Sequence, residues 1–356
     1  MIDEGVVTLT FSPALDIATS VDVVTPSRKL RCETPRQDPG GGGVNVARVV
    51  RRLGIDVVAV APLGGDSGRT FAQQLENEGV AVEQIAVEHP LRQSFAVTEE
   101  STGHQFRFVL PPRRLEPHEV DRCLNVTCDL GSRARCVVVS GSIDLPDVDD
   151  VLRTIVEVVS PVPVIIDTSG DALDAALLTT AALIKPSARE LGNLVGRRLD
   201  TESEITAAAT EVVERSRVGA LLVSIGAGGA VLVQQERPPI RFRAPAVRAR
   251  STIGAGDSLV AGIATGLARG DDLVDAIRLG IAAGTATVMT EGTELCDASV
   301  VESLLPIVVV EECSETPISS HRCASNGAES LICTDVDGVT PSRGHPSPSA
   351  RRGASI

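Results

Sequence analysis

The sequence contains no tryptophan, no tyrosine and only 6 phenylalanines in 356 residues. A surplus of positive charge is missing too, since 33 Lys and Arg face 47 Asp and Glu for a net charge of −14. Nucleic-acid binding needs a cationic groove and rings on which bases stack, so both of its usual supports are absent. Long apolar runs are also missing. The most apolar stretches, Gly219 to Val233 and Leu304 to Val310, are too short or too interrupted by polar residues for the ~20 residues that cross a bilayer. The opening Met1-Ile2-Asp3-Glu4 carries acid where an export signal carries base before an apolar core. A cytoplasmic protein with neither membrane nor nucleic acid as partner is expected. The 8 cysteines form no Cys-x-x-Cys pair and do not join the 5 histidines at zinc-ligand spacing, so reduced thiols are expected, several of them buried as small hydrophobes.

What is present is core-forming material, with a hydrophobic share of 43%. Short Val/Ile-rich runs without alternation (Val6–Phe11, Val57–Pro62, Cys136–Ser140, Val162–Asp167, Ala181–Lys185, Ala220–Ile225) read as strands covered on both faces. Amphipathic segments between them (Val44–Leu53, Ser67–Glu78, Val148–Val159, Glu202–Arg215, Ser258–Arg269) read as helices. Strands alternating with helices predict an α/β fold with a parallel sheet. Ala18–Thr34 and Gln93–Leu110 break that rhythm by alternating polar and apolar residues, which predicts a small inserted antiparallel sheet. Residues 1–310 then form one domain, and 311–356, rich in Ser, Pro, Gly and Arg, read as a disordered tail. His89, His104 and His118 fall at predicted edges and are expected to face solvent.

Two glycine-rich turns carry the chemistry. Ser251-Thr252-Ile253-Gly254-Ala255-Gly256-Asp257 opens the helical pattern that follows it. Backbone N–H groups at a helix start converge on an anion, and the helix dipole favours negative charge there. An Asp inside such an anion hole repels phosphate but suits a base that takes a proton from an attacking hydroxyl. The same spelling also fits a plain N-capping Asp. Gly40-Gly41-Gly42-Gly43-Val44-Asn45 opens a second helix; it permits close backbone approach of a ligand, and Asn45 offers donor and acceptor together. A tight connection is the alternative reading. The run is neither a Walker loop nor a G-x-G-x-x-G fingerprint.

Taken in order, Thr10-Phe11-Ser12-Pro13-Ala14-Leu15-Asp16, Lys29-Leu30-Arg31-Cys32, the glycine run through Asn45, Arg92-Gln93, Ser140-Gly141-Ser142, Lys185-Pro186-Ser187-Ala188-Arg189-Glu190, Ser224 to Gly229 and the Gly-Ala-Gly-Asp turn resemble the ribokinase-like PfkB family of sugar kinases. Lys29 to Cys32 and Glu291-Gly292-Thr293-Glu294-Leu295-Cys296 are similar to segments of its phosphofructokinase branch. The resemblance implies a three-layer α/β/α sandwich with a small antiparallel β lid, and a homodimer formed through that lid. It implies ATP- and Mg²⁺-dependent phosphorylation of D-fructose 6-phosphate at the 1-hydroxyl. A kinase for tagatose 6-phosphate or fructose 1-phosphate shares the same constellation, and a non-catalytic nucleotide- or sugar-phosphate-binding protein is the alternative from another class.

Position by position, the resemblance implies Asp257 as general base with Gly254, Ala255 and Gly256 as the anion hole. Asp16, Gly41, Gly42, Asn45 and Ser140 would meet the sugar, and Lys29 and Arg92 its phosphate, since a guanidinium forks onto phosphate oxygens. Lys185, Ser187, Ser224, Gly226 and Gly229 would line the nucleotide's phosphates and ribose, with Ile281 and Thr285 walling the adenine. Glu190 would position Mg²⁺ through water, although Ser187 stands where the family has Asn. A K⁺ loop would gather Ser251, Ile253, Thr287, Thr290, Gly292 and Glu294. The segment Ile143-Asp144-Leu145-Pro146-Asp147 departs from the family's usual Leu-Pro-x-Gly.

Overall fold

The computed structural model describes residues 5–111 and 113–312. The chain begins with β1 (Val6–Leu9), β2 (Ala14–Val21), β3 (Arg36–Gly40), α1 (Gly42–Arg52), β4 (Val57–Leu63), α2 (Gly65–Asn77), β5 (Ala81–Ala86), β6 (Arg92–Glu99) and β7 (Gln105–Val109). It continues through α3 (Pro117–Gly131), β8 (Cys136–Ser140), α4 (Val148–Val159), β9 (Val164–Asp167), α5 (Asp171–Ala176), β10 (Leu183–Ile184), α6 (Ala188–Leu194) and α7 (Glu202–Glu214). It then forms β11 (Ala220–Ser224), β12 (Ala230–Gln234), β13 (Ile240–Arg243), α8 (Ala255–Arg269), α9 (Leu273–Val288), α10 (Ala298–Leu304) and β14 (Val309–Glu312).

Ten strands form one sheet in the order β14-β13-β12-β11-β10-β9-β8-β1-β4-β5. From β5 to β11 every pairing is parallel, and β12, β13 and β14 extend the edge antiparallel. Alternate side chains of each strand enter opposite cores. Val6, Cys136 and Val138 pack with α1, α2, α8, α9 and α10, while Val7, Val137 and Val139 pack with α3 to α7. Burial on both faces is why these strands read as unbroken Val/Ile runs. Glu311 and Glu312, expected to begin the tail, instead end β14, because Ile240 and Arg241 offer them an edge. The rest of the tail lies outside the described residues.

The inserted sheet has the order β3-β2-β6-β7. Its first strand starts at Ala14, earlier than the alternation suggested, and its partner β3 starts only at Arg36, so most of 22–34 is connection rather than strand. The β2–β6 pair is parallel, with Asp16 opposite Ser94, whereas β2–β3 and β6–β7 are antiparallel. A parallel pair needs a crossover, and here α1, β4, α2 and β5 between them supply it. His89, His104 and His118 are exposed. Cys123, Cys136 and Cys296 are buried free thiols, and burial pushes those of Cys123 and Cys136 up to about 12.

Helices α8 and α9 cross where glycine faces glycine. A Cβ on Gly262 would stand 2.6 Å from the Gly280 Cα, and one on Gly280 would stand 2.5 Å from the Leu259 carbonyl oxygen. The backbones therefore touch, and a side chain at either position must force them apart. Overpacking of this kind costs ~1–3 kcal/mol. Gly280→Val is expected to lower the urea midpoint accordingly; an unchanged midpoint would mean that α9 can shift freely from α8.

Candidate active site

The parallel strands end together at one edge of the sheet, the edge where open α/β sheets bind ligands. Ser140 ends β8, Asp167 ends β9, Lys185 follows β10 and Ser224 ends β11. Two helices start against this edge. α1 comes close because its first residues lack side chains: a Cβ on Gly42 would stand 2.4 Å from Ser140 Oγ, and one on Gly43 2.6 Å from Thr10 Oγ1. Gly42 and Gly43 thus let the helix start press against the strand ends, while Gly41 supplies the positive φ of 114° that turns the chain into the helix.

Helix α8 is capped by Gly254 in the left-handed region, and a Cβ there would strike Leu295 Cδ2 at 2.7 Å. The first intrahelical bond runs from the Ser258 N–H to the Gly254 carbonyl, so the N–H groups of Ala255, Gly256 and Asp257 are left for an anion. Asp257 accepts a hydrogen bond from Asn45 Nδ2 at 2.8 Å. Burial raises its carboxyl above the ordinary Asp value, while the Asn45 hydrogen bond and the Lys185 charge hold it partly back.

Lys185 is buried, with Nζ 2.9 Å from Asp167 Oδ1 and 3.7 Å from where a Gly256 Cβ would be. Burial opposes its charge, yet Asp167, Asp257 and Glu190 together hold it above the ordinary lysine value. Burial pushes Asp167 up to about 6 against the pull of Lys185. Ser187 and Glu190 form a capping box at the start of α6: Ser187 N donates to Glu190 Oε2 at 2.8 Å, and Glu190 N to Ser187 Oγ at 3.2 Å. A serine can therefore do the capping work of the family's asparagine. Ser187 also bridges Ser224 in parallel, which brings the Gly226 to Gly229 turn beside it. Gly226 and Gly229 both take positive φ. Ile281 and Thr285 are both buried in α9, and the Thr285 hydroxyl donates to the Ile281 carbonyl at 2.7 Å.

The lid supplies the opposite wall. Asp16 lies over Gly40, where a Cβ would stand 2.1 Å from Asp16 Oδ2. Burial raises its carboxyl, with Arg107 and Arg92 opposing. Arg92 donates from Nη2 to the Ser12 carbonyl at 3.1 Å and from Nη1 to the Leu110 carbonyl at 3.2 Å. Lys29 is exposed on the connection between β2 and β3. The 251–253 and 287–294 segments meet, with Ser251 Oγ donating to the Gly292 carbonyl at 2.7 Å, and Thr290 Oγ1 donates to the Glu294 carbonyl at 2.6 Å. The Glu294 carboxylate points to Arg36 at 3.9 Å, so its charge is directed at the lid rather than into that loop.

Three groups receive no role from the sequence. Asp167 could have been found, because an acid ending a buried Val-Ile-Ile run sits at the ligand edge of a parallel sheet. Arg107 lies on the same lid face as Asp16, and its charge acts on both Asp16 and Asp257. The third is Arg48, 1% exposed on the apolar face of α1. It forks onto Glu78 at 2.7–3.0 Å, donates to the Pro39 carbonyl at 2.9 Å and lies 3.6 Å from Asp38. Thr293 Oγ1 donates to the other Asp38 oxygen at 2.7 Å. Asp38 is the cross-strand neighbour of Asp16, and this network neutralises it.

A sequence model of pfkB family carbohydrate kinases matches residues 10–299. The ATP-dependent 6-phosphofructokinase isozyme 2 of Mycobacterium tuberculosis is 42% identical over 305 residues, 84% of this chain and 89% of that protein. The isozyme 2 of Escherichia coli is 37% identical over 295 residues, 81% of this chain and 94% of that protein. A crystal structure of phosphofructokinase-2 from Escherichia coli in complex with potassium matches with a TM-score of 0.79 at 34% identity, over 86% of this chain and 99% of that one.

Two expectations follow from the geometry. Removing one partner of a buried ion pair costs ~3–5 kcal/mol, and Glu78 keeps some solvent, so Arg48→Met should destabilise by about 3 kcal/mol in urea unfolding; a loss below about 1 kcal/mol would show that Asp38 is solvated. In a carboxyl-carbon NMR titration, with the signal assigned through Asp257→Asn, Asp257 should titrate above 3.8. Its raised native pKa means that protonation favours the folded state, so the group's destabilising contribution appears as pH rises through that midpoint. A midpoint at or below 3.8 would contradict the burial of its carboxyl.

Proposed function

We propose, from the premise that this chain belongs to the pfkB family of carbohydrate kinases, that it transfers the γ-phosphoryl group of ATP to the 1-hydroxyl of D-fructose 6-phosphate. The observation that carries the chemistry is the position of Asp257. It sits within the first turn of α8, where N–H groups are free, and Asn45 of α1 donates to its carboxylate. A carboxylate held this way can accept the proton of an incoming hydroxyl while the N–H groups of Ala255 and Gly256 receive the charge that builds on the transferring group. The similarity to the 6-phosphofructokinases supports the choice of sugar.

In this reading the acceptor lies between Asp16 on the lid and Asn45, Gly41 and Gly42 on the sheet edge, with its phosphate toward Arg92, Lys29 and Arg107. Ser140 Oγ is buried without a partner, a further donor for a sugar oxygen. The nucleotide's phosphates lie along Lys185 and the Ser224 to Gly229 turn. The residues present fit a magnesium ion held indirectly: Asp167, Glu190 and Asp257 all act on Lys185, yet no cluster of three metal-binding side chains exists among the described residues. Magnesium keeps its own waters and phosphate oxygens in such sites, and would supply charge neutralisation on the phosphates when bound. The loop in which Ser251 and Thr290 meet the Gly292 and Glu294 carbonyls is where a potassium ion would be held.

The outer lid is left bare: Phe108 and Val109 are each 57% exposed, and Leu110 45%. Such a surface supports pairing with a second copy of this chain.

An ADP-release assay across fructose 6-phosphate, fructose 1-phosphate and tagatose 6-phosphate tests the substrate, with fructose 6-phosphate expected to give the highest kcat/KM and a higher value for either rival overturning that choice. Asp257→Asn should lower kcat by ~10²–10⁴-fold while ATP still binds. Retention of wild-type turnover would remove Asp257 from the chemistry.

A further inference from the structure

Asp38 on lid strand β3 is 6% exposed, and two cations near it in the sequence already balance its charge, with Arg36 Nε 2.8 Å and Arg48 Nη2 3.6 Å away. Its third partner is of another kind. Thr293 Oγ1, itself buried, donates to Asp38 Oδ2 at 2.7 Å across 255 positions of the chain. That bond joins the lid to the 291–296 loop. Beside it, Gly292 takes a φ of 60° and rests on β2, where a Cβ would lie at ordinary contact distance, 3.6 Å, from the Ala18 Cβ.

The other side of the same loop meets the start of α8. Gly254 caps that helix without any side-chain hydrogen bond, and glycine does least to restrict its own dihedrals, so the direction of the first turn depends on what packs against it. Ser251 Oγ donates to the Gly292 carbonyl and accepts the Ile253 N–H at 3.2 Å. Leu295 fills the space that a Gly254 Cβ would need. Cys296 N donates to Thr287 Oγ1 at 3.2 Å, and that hydroxyl donates to Ser258 Oγ in α8 at 2.7 Å. The loop is thus a strut, with the lid strands on one side and the first turn of α8 on the other.

We propose that Asp38 and Thr293 are positioning residues for phosphoryl transfer. Their bond seats the 291–296 loop on the lid, and the seated loop holds the first turn of α8 so that the Ala255 and Gly256 N–H groups keep the direction the transferring group requires. The lid wall and the anion hole then move as one piece. The part played in phosphoryl transfer rests on the reading of α8 given above, whereas the mechanical link between lid and helix does not.

The test replaces the hydroxyl alone. Thr293→Val keeps the shape of the side chain and leaves Asp38 its two arginines, and Thr293→Ser restores the donor. In hydrogen–deuterium exchange of the full unliganded chain, the amides of Ser258 to Val260, the first hydrogen-bonded ones of α8, should exchange about tenfold faster in Thr293→Val, as expected when a buried hydrogen bond that restrains local opening is lost. Thr293→Ser should return them to the wild-type rate, and the strands β8 and β9 should be unchanged in both. With fructose 6-phosphate as acceptor and potassium fixed, kcat of Thr293→Val should fall about tenfold while KM for the sugar stays within about twofold, because the groups that meet the sugar are untouched. Wild-type exchange at Ser258 to Val260 in Thr293→Val overturns the proposal, as does faster exchange spread equally over β8 and β9, or a raised KM in place of a lowered kcat. Should the wild type fail to phosphorylate fructose 6-phosphate, the substrate reading fails and the exchange measurement alone decides whether the strut exists.

Discussion

The hydrogen bond from Asn45 to Asp257 joins residues 212 positions apart, and the rest of the site is arranged around the two helices it ties together. Both helices begin with glycines because both must start in contact with something else: α1 with Thr10 and Ser140 at the strand ends, α8 with Leu295. Their amino termini then converge at the carboxyl edge of a parallel sheet. That convergence concentrates unpaired N–H groups and positive dipole ends where strand-end side chains also meet. A single carboxylate placed there is buried enough to be basic and is held in one orientation by a neutral amide.

Charge around that point is balanced in separate groups. Lys185 offsets Asp167 and faces Asp257 and Glu190, so three acids share one buried cation. On the lid, Asp16 and Asp38 stand opposite each other on neighbouring strands, a pairing that like charge makes unfavourable. Arg48, Arg36 and Thr293 engage Asp38, leaving Asp16 to the influence of Arg92 and Arg107. The same α1 helix that presents Asn45 to Asp257 carries Arg48 three residues later and Arg52 after a further four; Arg52 donates to the Leu295 carbonyl at 2.8 Å. One helix thereby ties Asp257, the lid strand and the loop beneath α8 into a single rigid piece.

The sequence by itself determined the elements whose signals are local. Val/Ile runs located the parallel strands because a strand buried on both faces must be apolar throughout, and Cys136–Ser140 and Val148–Val159 match the observed β8 and α4 to the residue. The glycine turns before Asn45 and Asp257 were legible because a backbone pressed against a strand end or turned to positive φ leaves glycine as the low-strain choice. Tertiary structure alone decided what depends on partners distant in the chain. The lid's register, with β2 parallel to β6, follows from the path of the chain through the large sheet, which no alternation of residues in either strand encodes. Arg48 looks like a misplaced charge in an apolar helix face until Glu78, Asp38 and the Pro39 carbonyl are brought to it by folding. Asp167 and Lys185 are 18 residues apart in the sequence, and only adjacent parallel strands ending at the same height make them a buried pair. The physical reason is common to all three: periodicity and turn chemistry act over a few residues, whereas the neutralisation of a buried charge is settled by whichever group the fold delivers within a few ångströms.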